Sequence, residues 1–255
     1  SVYDGAAFVL GLGGLSEGIG FSHLGTSAML RVIAKRPILD SAHMEVQTHY
    51  LWRNVWIPGA GINNAGIIFN WLSKNILKKN VAKVINSICL RKIPESIPLV
   101  IPLLTPERMP SLSKLSGLLI YGLKPSDTDS TLILSLLLGI LFLLRKIKQA
   151  LEDQNIRLKE VRIGGGAASN IIVQLLADTL QLPVLRSRKT IEAGLIGNTI
   201  LVLRAFGHNM SKDLHHESEM FEPNPLRSIV LNKLYMKFLR LLNEYVVLSD
   251  KLQDE

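Results

Sequence analysis

Ile163-Gly164-Gly165-Gly166-Ala167-Ala168-Ser169-Asn170, followed by the apolar run of residues 171–180, is the stretch that decides how this chain is read. An apolar, β-branched approach through Val161 and Ile163 turns on three glycines into a helix that Ser169 or Asn170 can cap. Glycines let a backbone come close to a flat or anionic ligand, and a helix N-terminus presents unpaired amides to it. Many folds hold a nucleotide this way, but plain tight turns share the same strand–glycine–helix pattern.

Outward from this unit the patterning is α/β. Towards the N-terminus, residues 21–24 and 29–33 read as two short strands around the turn Gly25-Thr26-Ser27, behind a Gly/Ala-rich stretch at 5–14. Residues 45–57, with Tyr50, Trp52 and Trp56, suggest a second strand pair, and Pro58-Gly59-Ala60-Gly61 reads as a turn. A helix is expected from Asn63 or Asn64, with Ile67, Ile68, Trp71, Leu72 and Ile76 on one face. The proline-punctuated residues 93–126 read as strand and loop, and 132–151 as an apolar helix. Beyond the glycine unit, a helix over about 192–206 places Ala193, Gly194 and Gly197 for close packing. A final helix starts at Asn224-Pro225, cap and first position, with Leu231, Leu234, Tyr235, Phe238, Leu241, Leu242 and Tyr245 as its stripe.

Composition narrows the function classes. The chain has 255 residues, 47% of them hydrophobic and 20% charged, which suits a globular unit rather than a disordered one. Its net charge of +8 is spread over scattered pairs (Lys35 and Arg36, Lys78 and Lys79, Arg145 and Lys146, Arg186 and Arg188) without interleaved aromatics. That predicts a solvated surface and no nucleic-acid partner. The apolar run 132–144 is shorter than the roughly 20 residues a spanning helix needs, so a buried core helix and no membrane partner are expected. The single cysteine, Cys89, between Ile88 and Leu90, reads as a buried small hydrophobe in a reducing compartment, hence a cytoplasmic expectation. The opening stretch lacks the basic region of a signal peptide, and the chain opens on Ser1 rather than methionine, which suggests a processed, truncated or excised piece. No P-loop, nucleophile elbow or complete dinucleotide fingerprint is present. His215-His216-Glu217 lacks metal-ligand spacing and reads as a polar loop, so no metal ligands are assigned.

Several separated segments, in order, resemble the C-terminal domain of the FGGY carbohydrate kinases, and within them the gluconate kinases. Asp4-Gly5-Ala6-Ala7 with Gly11 and Gly13 resembles the family's D-G-A segment, and Leu24-Gly25-Thr26-Ser27-Ala28 its G-T-S phosphate turn. Residues 59–72, from Gly59 through Asn63-Asn64 and Gly66 to Trp71-Leu72, are similar to the gluconate-kinase G-x-x-N-N-G-G stretch. Gly164-Gly165-Gly166-Ala167 with Glu192-Ala193 and Gly197 resembles the adenosine motif and the helix after it, and Phe221-Glu222-Pro223-Asn224-Pro225 a tail seen in gluconate and xylulose kinases. Pro106-Glu107-Arg108-Met109-Pro110 looks like the G-E-R-x-P segment with proline in place of glycine, and Leu138 stands where the family usually has glutamate.

The resemblance implies an actin-like (ribonuclease-H-like) α/β domain over residues 1–255 that binds ATP with Mg2+ on one side of a cleft. It further implies an N-terminal sugar-binding domain absent from these residues, a sugar or sugar-acid substrate, and room for a homodimer. Asp4 would be the general base that takes the proton from the sugar hydroxyl as it attacks the γ-phosphorus. Gly25 and Thr26 would contact the β- and γ-phosphates, Gly66 would let the α-phosphate approach with Asn70 one turn on, and Gly165, Gly166 and Asn170 would form the adenosine shelf. Magnesium would be held chiefly by phosphate and water with Asp4 nearby. The implied activity is phosphorylation of gluconate first, or of xylulose or another pentulose. The proline at 106 and leucine at 138 also fit a non-catalytic nucleotide-binding relic.

Overall fold

The computed structural model describes residues 4–13, 15–52, 54–91, 93–187, 193–208 and 218–253. Asp4–Gly11 forms a helix (α1) in the Gly/Ala-rich stretch for which patterning assigns no element. Ile19–Leu24 (β1) and Ala28–Val32 (β2) make the expected hairpin, closed by the Gly25 amide donating to the Ser27 carbonyl at 2.9 Å. Gln47–Trp52 (β3) and Val55–Ile62 (β4) are the expected strand pair.

β4 runs straight through Pro58-Gly59-Ala60-Gly61, the segment read as a turn. Pairing on both sides overrides local turn propensity: Thr48 faces Pro58 on β3, while Gly59, Ala60, Gly61 and Ile62 face Arg31 to Ala28 on β2. Gly59 has φ +149°, and a Cβ there would lie 2.2 Å from the Leu30 carbonyl oxygen. The glycine thus serves close strand packing.

The next helix, Gly66–Trp71 (α2), begins later than Asn63 or Asn64 and continues as a π-helical segment, Leu72–Leu77. Neither asparagine caps it; the Asn64 side chain is fully buried and turned to Thr105 and Glu107. Val81–Ser87 (α3) is capped by Asn80, whose side chain accepts from the Lys83 amide. Cys89, just beyond α3, is exposed rather than buried.

Leu99–Leu103 (β5) and Gly117–Tyr121 (β6) form a separate antiparallel hairpin in the proline-punctuated region. Thr128 and Thr131 make a capping box that starts Asp129–Asp153 (α4). At 25 residues, α4 is long and apolar enough to cross a membrane, contrary to the length expected from 132–144. However, most of its apolar length is buried, and α4 forms the spine of the core. Glu160–Gly164 (β7), Asn170–Leu180 (α5) and Val184–Ser187 (β8) are the strand–glycine–helix unit and its return. Ala193–Ala205 (α6), Ser218–Phe221 (β9) and Pro225–Gln253 (α7) complete the chain.

Seven strands order as β3-β4-β2-β1-β7-β8-β9, with β1–β7 and β7–β8 parallel and the other pairs antiparallel. Side chains alternate across the sheet into two cores. One lies against α4, α5 and α7 and takes Leu24, Leu30 and Val161; the other lies against α1 and α6 and takes Phe21, Ile33 and Ile57. α1 and α6 touch backbone to backbone: a Cβ on Gly11 would fall 1.6 Å from the Ala193 carbonyl oxygen, and one on Gly197 1.7 Å from that of Ala7. Gly194 differs from its expectation, since its Cβ would meet nothing within 4 Å.

The tail motif has a clear structural purpose. Asn224 caps α7 through the Arg227 amide, and its own amide donates to the buried Asp178 carboxylate at 2.7 Å. The Arg227 guanidinium pairs with the same carboxylate, so the start of α7 is pinned to α5. Not every scattered cation is solvated: Arg145 stacks over the Tyr235 ring at 4.3 Å, and Arg186 donates to the Ala168 carbonyl at 2.8 Å. Glu192 and residues 215–217 lie outside the described residues.

Candidate functional site

Two turns end adjacent parallel strands at one edge of the fold: Gly25-Thr26-Ser27 after β1 and Gly165–Ser169 after β7. Both lie at the carboxyl ends of their strands, where open α/β sheets bind ligands. Backbone bonds weld them together, since the Ala167 amide donates to the Leu24 carbonyl at 3.4 Å. Gly165 has φ +106°, and its Cβ would sit 2.4 Å from the Leu24 carbonyl oxygen, so that position requires glycine for the turn. Gly166 is exposed and a Cβ there would meet nothing within 4 Å.

A cleft of about 880 Å³ opens on one side of the joined turns. Gly25, Thr26, Gly66, Asn70 and Gly166 line it, so five of the expected nucleotide residues share one cavity. Gly165 and Asn170 do not line it; Gly165 faces the second cavity, and Asn170 is exposed beside the turn. The floor is apolar, from Leu137, Ile140 and Leu141 of α4 and Ile172 of α5. Phe69, Ser73, Asn80 and Asn86 complete the wall and went unassigned in the sequence. Ser73 could have been found as the i+4 neighbour of Phe69 on one helix face. The α3 asparagines carry no signal, because the turn that brings α3 back depends on Lys78 in the left-handed region, φ 53°.

The helix at each turn behaves differently. At α2 the amides of Gly66 and Ile67 donate to the Gly25 and Thr26 carbonyls at 2.9 and 3.0 Å. The side-chain space of Gly66 is filled by the Gly25 carbonyl oxygen, 2.4 Å from where a Cβ would stand. Gly66 is therefore a glycine because two backbones meet there, and its amide is not available to a phosphate. At α5 the N-cap Ser169 makes no capping bond, and its Oγ is buried without a partner among the described residues while the residue lines the cleft. The first-turn amides of an α-helix have no partner within the helix. A buried hydroxyl and uncapped amides at one spot suit a polar ligand.

A second cavity of about 670 Å³ lies beyond the turns and shares Gly166 with the first. It holds Asp4, at the start of α1, together with His23, Arg31, Arg108, Gly165 and Gly194. The Asp4 carboxylate is exposed and lines this cavity, and its Oδ1 accepts the Gly5 amide at 2.7 Å. His23 stands edge-on to Phe8, with ring centroids 5.1 Å apart. Burial pushes its imidazole below the ordinary histidine value, against an opposing pull from Asp4. The sequence assigns His23 no role, and Arg108 enters it only within the Pro106–Pro110 segment that resembles G-E-R-x-P, without a site role. Adjacency to the Gly25-Thr26 turn could have flagged His23; Arg108 reaches the cavity only through tertiary folding. Among the described residues no cluster of histidine, cysteine and carboxylate side chains could hold a metal ion by itself.

Comparison with known proteins agrees with this arrangement. Residues 20–206 match the model of the C-terminal domain of the FGGY family of carbohydrate kinases. The chain is 29% identical over 249 residues to a xylulose kinase of Lactococcus lactis, covering 91% of this chain and 48% of that protein. It is 27% identical over 224 residues to a gluconokinase of Bacillus licheniformis, covering 83% and 43%. The chain thus spans about half the length of the curated relatives it matches. Among solved structures, the gluconate kinase of Lactobacillus acidophilus superposes with a TM-score of 0.85 at 19% identity, covering 98% of this chain and 52% of that one. The xylulose kinase of the same organism gives 0.84 at 19% identity, over the same shares. These likenesses establish an actin-like mixed α/β fold, and with the family match over most of its length the chain belongs to the FGGY family of carbohydrate kinases, as its C-terminal domain.

Proposed function

We propose that this chain is the ATP-binding half of a sugar kinase, with the nucleotide in the larger cleft and the reacting hydroxyl beside Asp4. The observation that carries the reading is Gly166, an open position on the wall common to both cavities. Adenosine lying on the α4 and α5 floor can send its phosphates past Gly166 and the Gly25-Thr26 turn towards Asp4. Ser169 and the α5 amides would take polar groups of the nucleotide, and Thr26 its terminal phosphates.

Phosphoryl transfer asks the protein mainly for positioning and charge neutralisation, plus one carboxylate in reach of the nucleophile. Asp4, whose Oδ2 has no hydrogen-bond partner among the described residues, would accept the hydroxyl proton as the oxygen attacks the γ-phosphorus and ADP departs. Magnesium, held by phosphate and water with Asp4 nearby, would supply further charge neutralisation. Half of the relatives' length is not represented here, and a companion N-terminal domain would supply most of the sugar pocket. Closing it over Asp4 would exclude water. Gluconate is the first substrate proposed, xylulose or another pentulose the second; the reaction would run in the cytoplasm.

The test uses the full gene product with ATP and gluconate, xylulose or glycerol. Asp4→Asn should retain ATP binding by calorimetry and lose on the order of 10²–10⁴-fold in kcat. An undiminished rate removes Asp4 from the chemistry, and turnover of glycerol alone removes the gluconate assignment.

A further inference from the structure

The Asp4 cavity contains a cation whose placement is built from a separate part of the chain. The Glu107 carboxylate, 5% exposed, accepts the amides of Asn63 at 2.7 Å, Asn64 at 2.9 Å and Arg108 at 3.2 Å. It also takes the Asn64 side-chain amide at 2.6 Å. Asn63, fixed by that clamp and by its own bond to the Pro106 carbonyl at 2.8 Å, accepts from Arg108 Nε at 2.7 Å. Arg108 is thus anchored at its inner nitrogen.

Its terminal nitrogens have no hydrogen-bond or ion-pair partner among the described residues, and the side chain lines the same cavity as Asp4. Nη1 lies over the bare face of β4, 3.6 Å from where a Cβ on Gly61 would stand. Glu107 makes no ion pair with the guanidinium among the described residues, because its oxygens take backbone amides and the Asn64 side-chain amide. Arg31, the other arginine on this wall, already donates Nη1 to the Gln47 and Ile57 carbonyls at 2.9 and 3.1 Å. A guanidinium with a fixed stem and an open fork matches an oxyanion in bidentate geometry.

We propose that Arg108 binds an oxyanion of the reacting pair beside Asp4, with Asn63 and Glu107 as its positioning residues. The inference rests on reading this cavity as the phosphoryl-transfer site. The oxyanion has two sources, the carboxylate of a sugar acid and the γ-phosphoryl group of ATP.

The experiment compares Arg108→Gln, Arg108→Lys and Asn63→Ala in the full gene product, each checked against the parent melting curve. A carboxylate ligand predicts that Arg108→Gln raises KM for gluconate about 10- to 100-fold while KM for xylulose and affinity for ATP hold. A γ-phosphoryl ligand predicts that ATP binds no better than ADP and that kcat falls on every sugar. Either result supports the proposal, with Arg108→Lys intermediate because it keeps the charge without the fork. Asn63→Ala should move the same parameter in the same direction by less, and Asn63→Asp should not restore it, because a carboxylate there loses the donation to the Pro106 carbonyl and neutralises the guanidinium. Parent-like values for both Arg108 variants overturn the proposal. A parent protein that binds neither nucleotide overturns the kinase reading instead, so the two failures are distinguishable.

Discussion

At the Gly66 junction the first amides of α2 are already occupied by the carbonyls of the Gly25-Thr26 turn, and the glycine is locked against that turn. At the Gly164–Asn170 junction the α5 N-cap forms no capping bond, its hydroxyl is buried without a partner, and Gly166 faces open space. In sequence the two are the same signature, glycine leading into an apolar helix. The fold uses one to weld a wall and leaves the other open for a ligand. A glycine before a helix is therefore evidence of a close approach, and only the backbone bonding tells whether protein or ligand does the approaching.

The largest effect expected from this contrast is on stability. Gly66→Val places a branched side chain into the Gly25 carbonyl, which must shift. A loss on the order of 1–3 kcal/mol is expected, seen as a drop of several degrees in the melting temperature. A variant that melts with the parent would break the assignment of Gly66 to packing. Gly166→Val should do the reverse, because its side chain enters the cleft without meeting protein. Stability should change by less than about 1 kcal/mol while ATP affinity by calorimetry falls about tenfold. Equal ATP affinity for variant and parent would mean the nucleotide lies elsewhere.

What could be read from residues alone follows the same division. The Gly25–Ser27 hairpin, the β7–α5 junction and the Asn224-Pro225 start of α7 are set by neighbours in sequence, and the structure has them where expected. Pro58–Gly61 was misread because its turn-like composition is outweighed by pairing with strands on both sides, one of them nearly thirty positions away. Asn63 and Asn64 look like helix caps locally, yet their partners are Thr105, Pro106, Glu107 and Arg108, which no periodicity connects to them. Cys89 sits beyond a helix too short to reveal its buried face. Gly25, Thr26, Gly66, Asn70 and Gly166 came from family resemblance, and they do share a cleft. His23 lies two residues before the Gly25-Thr26 turn and was legible from that adjacency, whereas Arg108, quoted only within the Pro106–Pro110 segment, is brought to the Asp4 cavity by tertiary folding.

Ser169 sharpens the comparison further, since its two effects should have opposite signs. Its buried hydroxyl has no partner among the described residues, so Ser169→Ala should be neutral or slightly stabilising by thermal melt. If the hydroxyl meets the nucleotide, the same variant should lose about 2- to 10-fold in ATP affinity, the scale of one neutral hydrogen bond. A clear loss of stability instead would show that Ser169 already caps α5 in solution, and the α5 junction would then be as closed as the α2 one.

The smallest expected effect is one of pH, and it probes the wall between the two junctions. His23 packs against both turns: a Cβ on Gly25 would lie 2.6 Å from its Cε1, and one on Gly165 3.1 Å from its Cδ2. Burial lowers the imidazole's pKa from 6.5 in the folded chain, so the unfolded chain binds the proton more readily. Stability must then rise with pH across the window between the lowered value and 6.5. The contribution is fully present above 6.5 and is lost as the solution is acidified towards the folded value. His23→Gln cannot titrate, so its melting temperature should fall less than the parent's between pH 7 and pH 5. Asp4 opposes the shift by favouring the charged ring, and Asp4→Asn should therefore steepen the parent's acid loss. His49, also lowered by burial, lies on β3 and leaves a common background slope in every variant. Parallel curves for parent and His23→Gln would mean that the imidazole is freely solvated, and that the two turns are not packed on it as tightly as the structure shows.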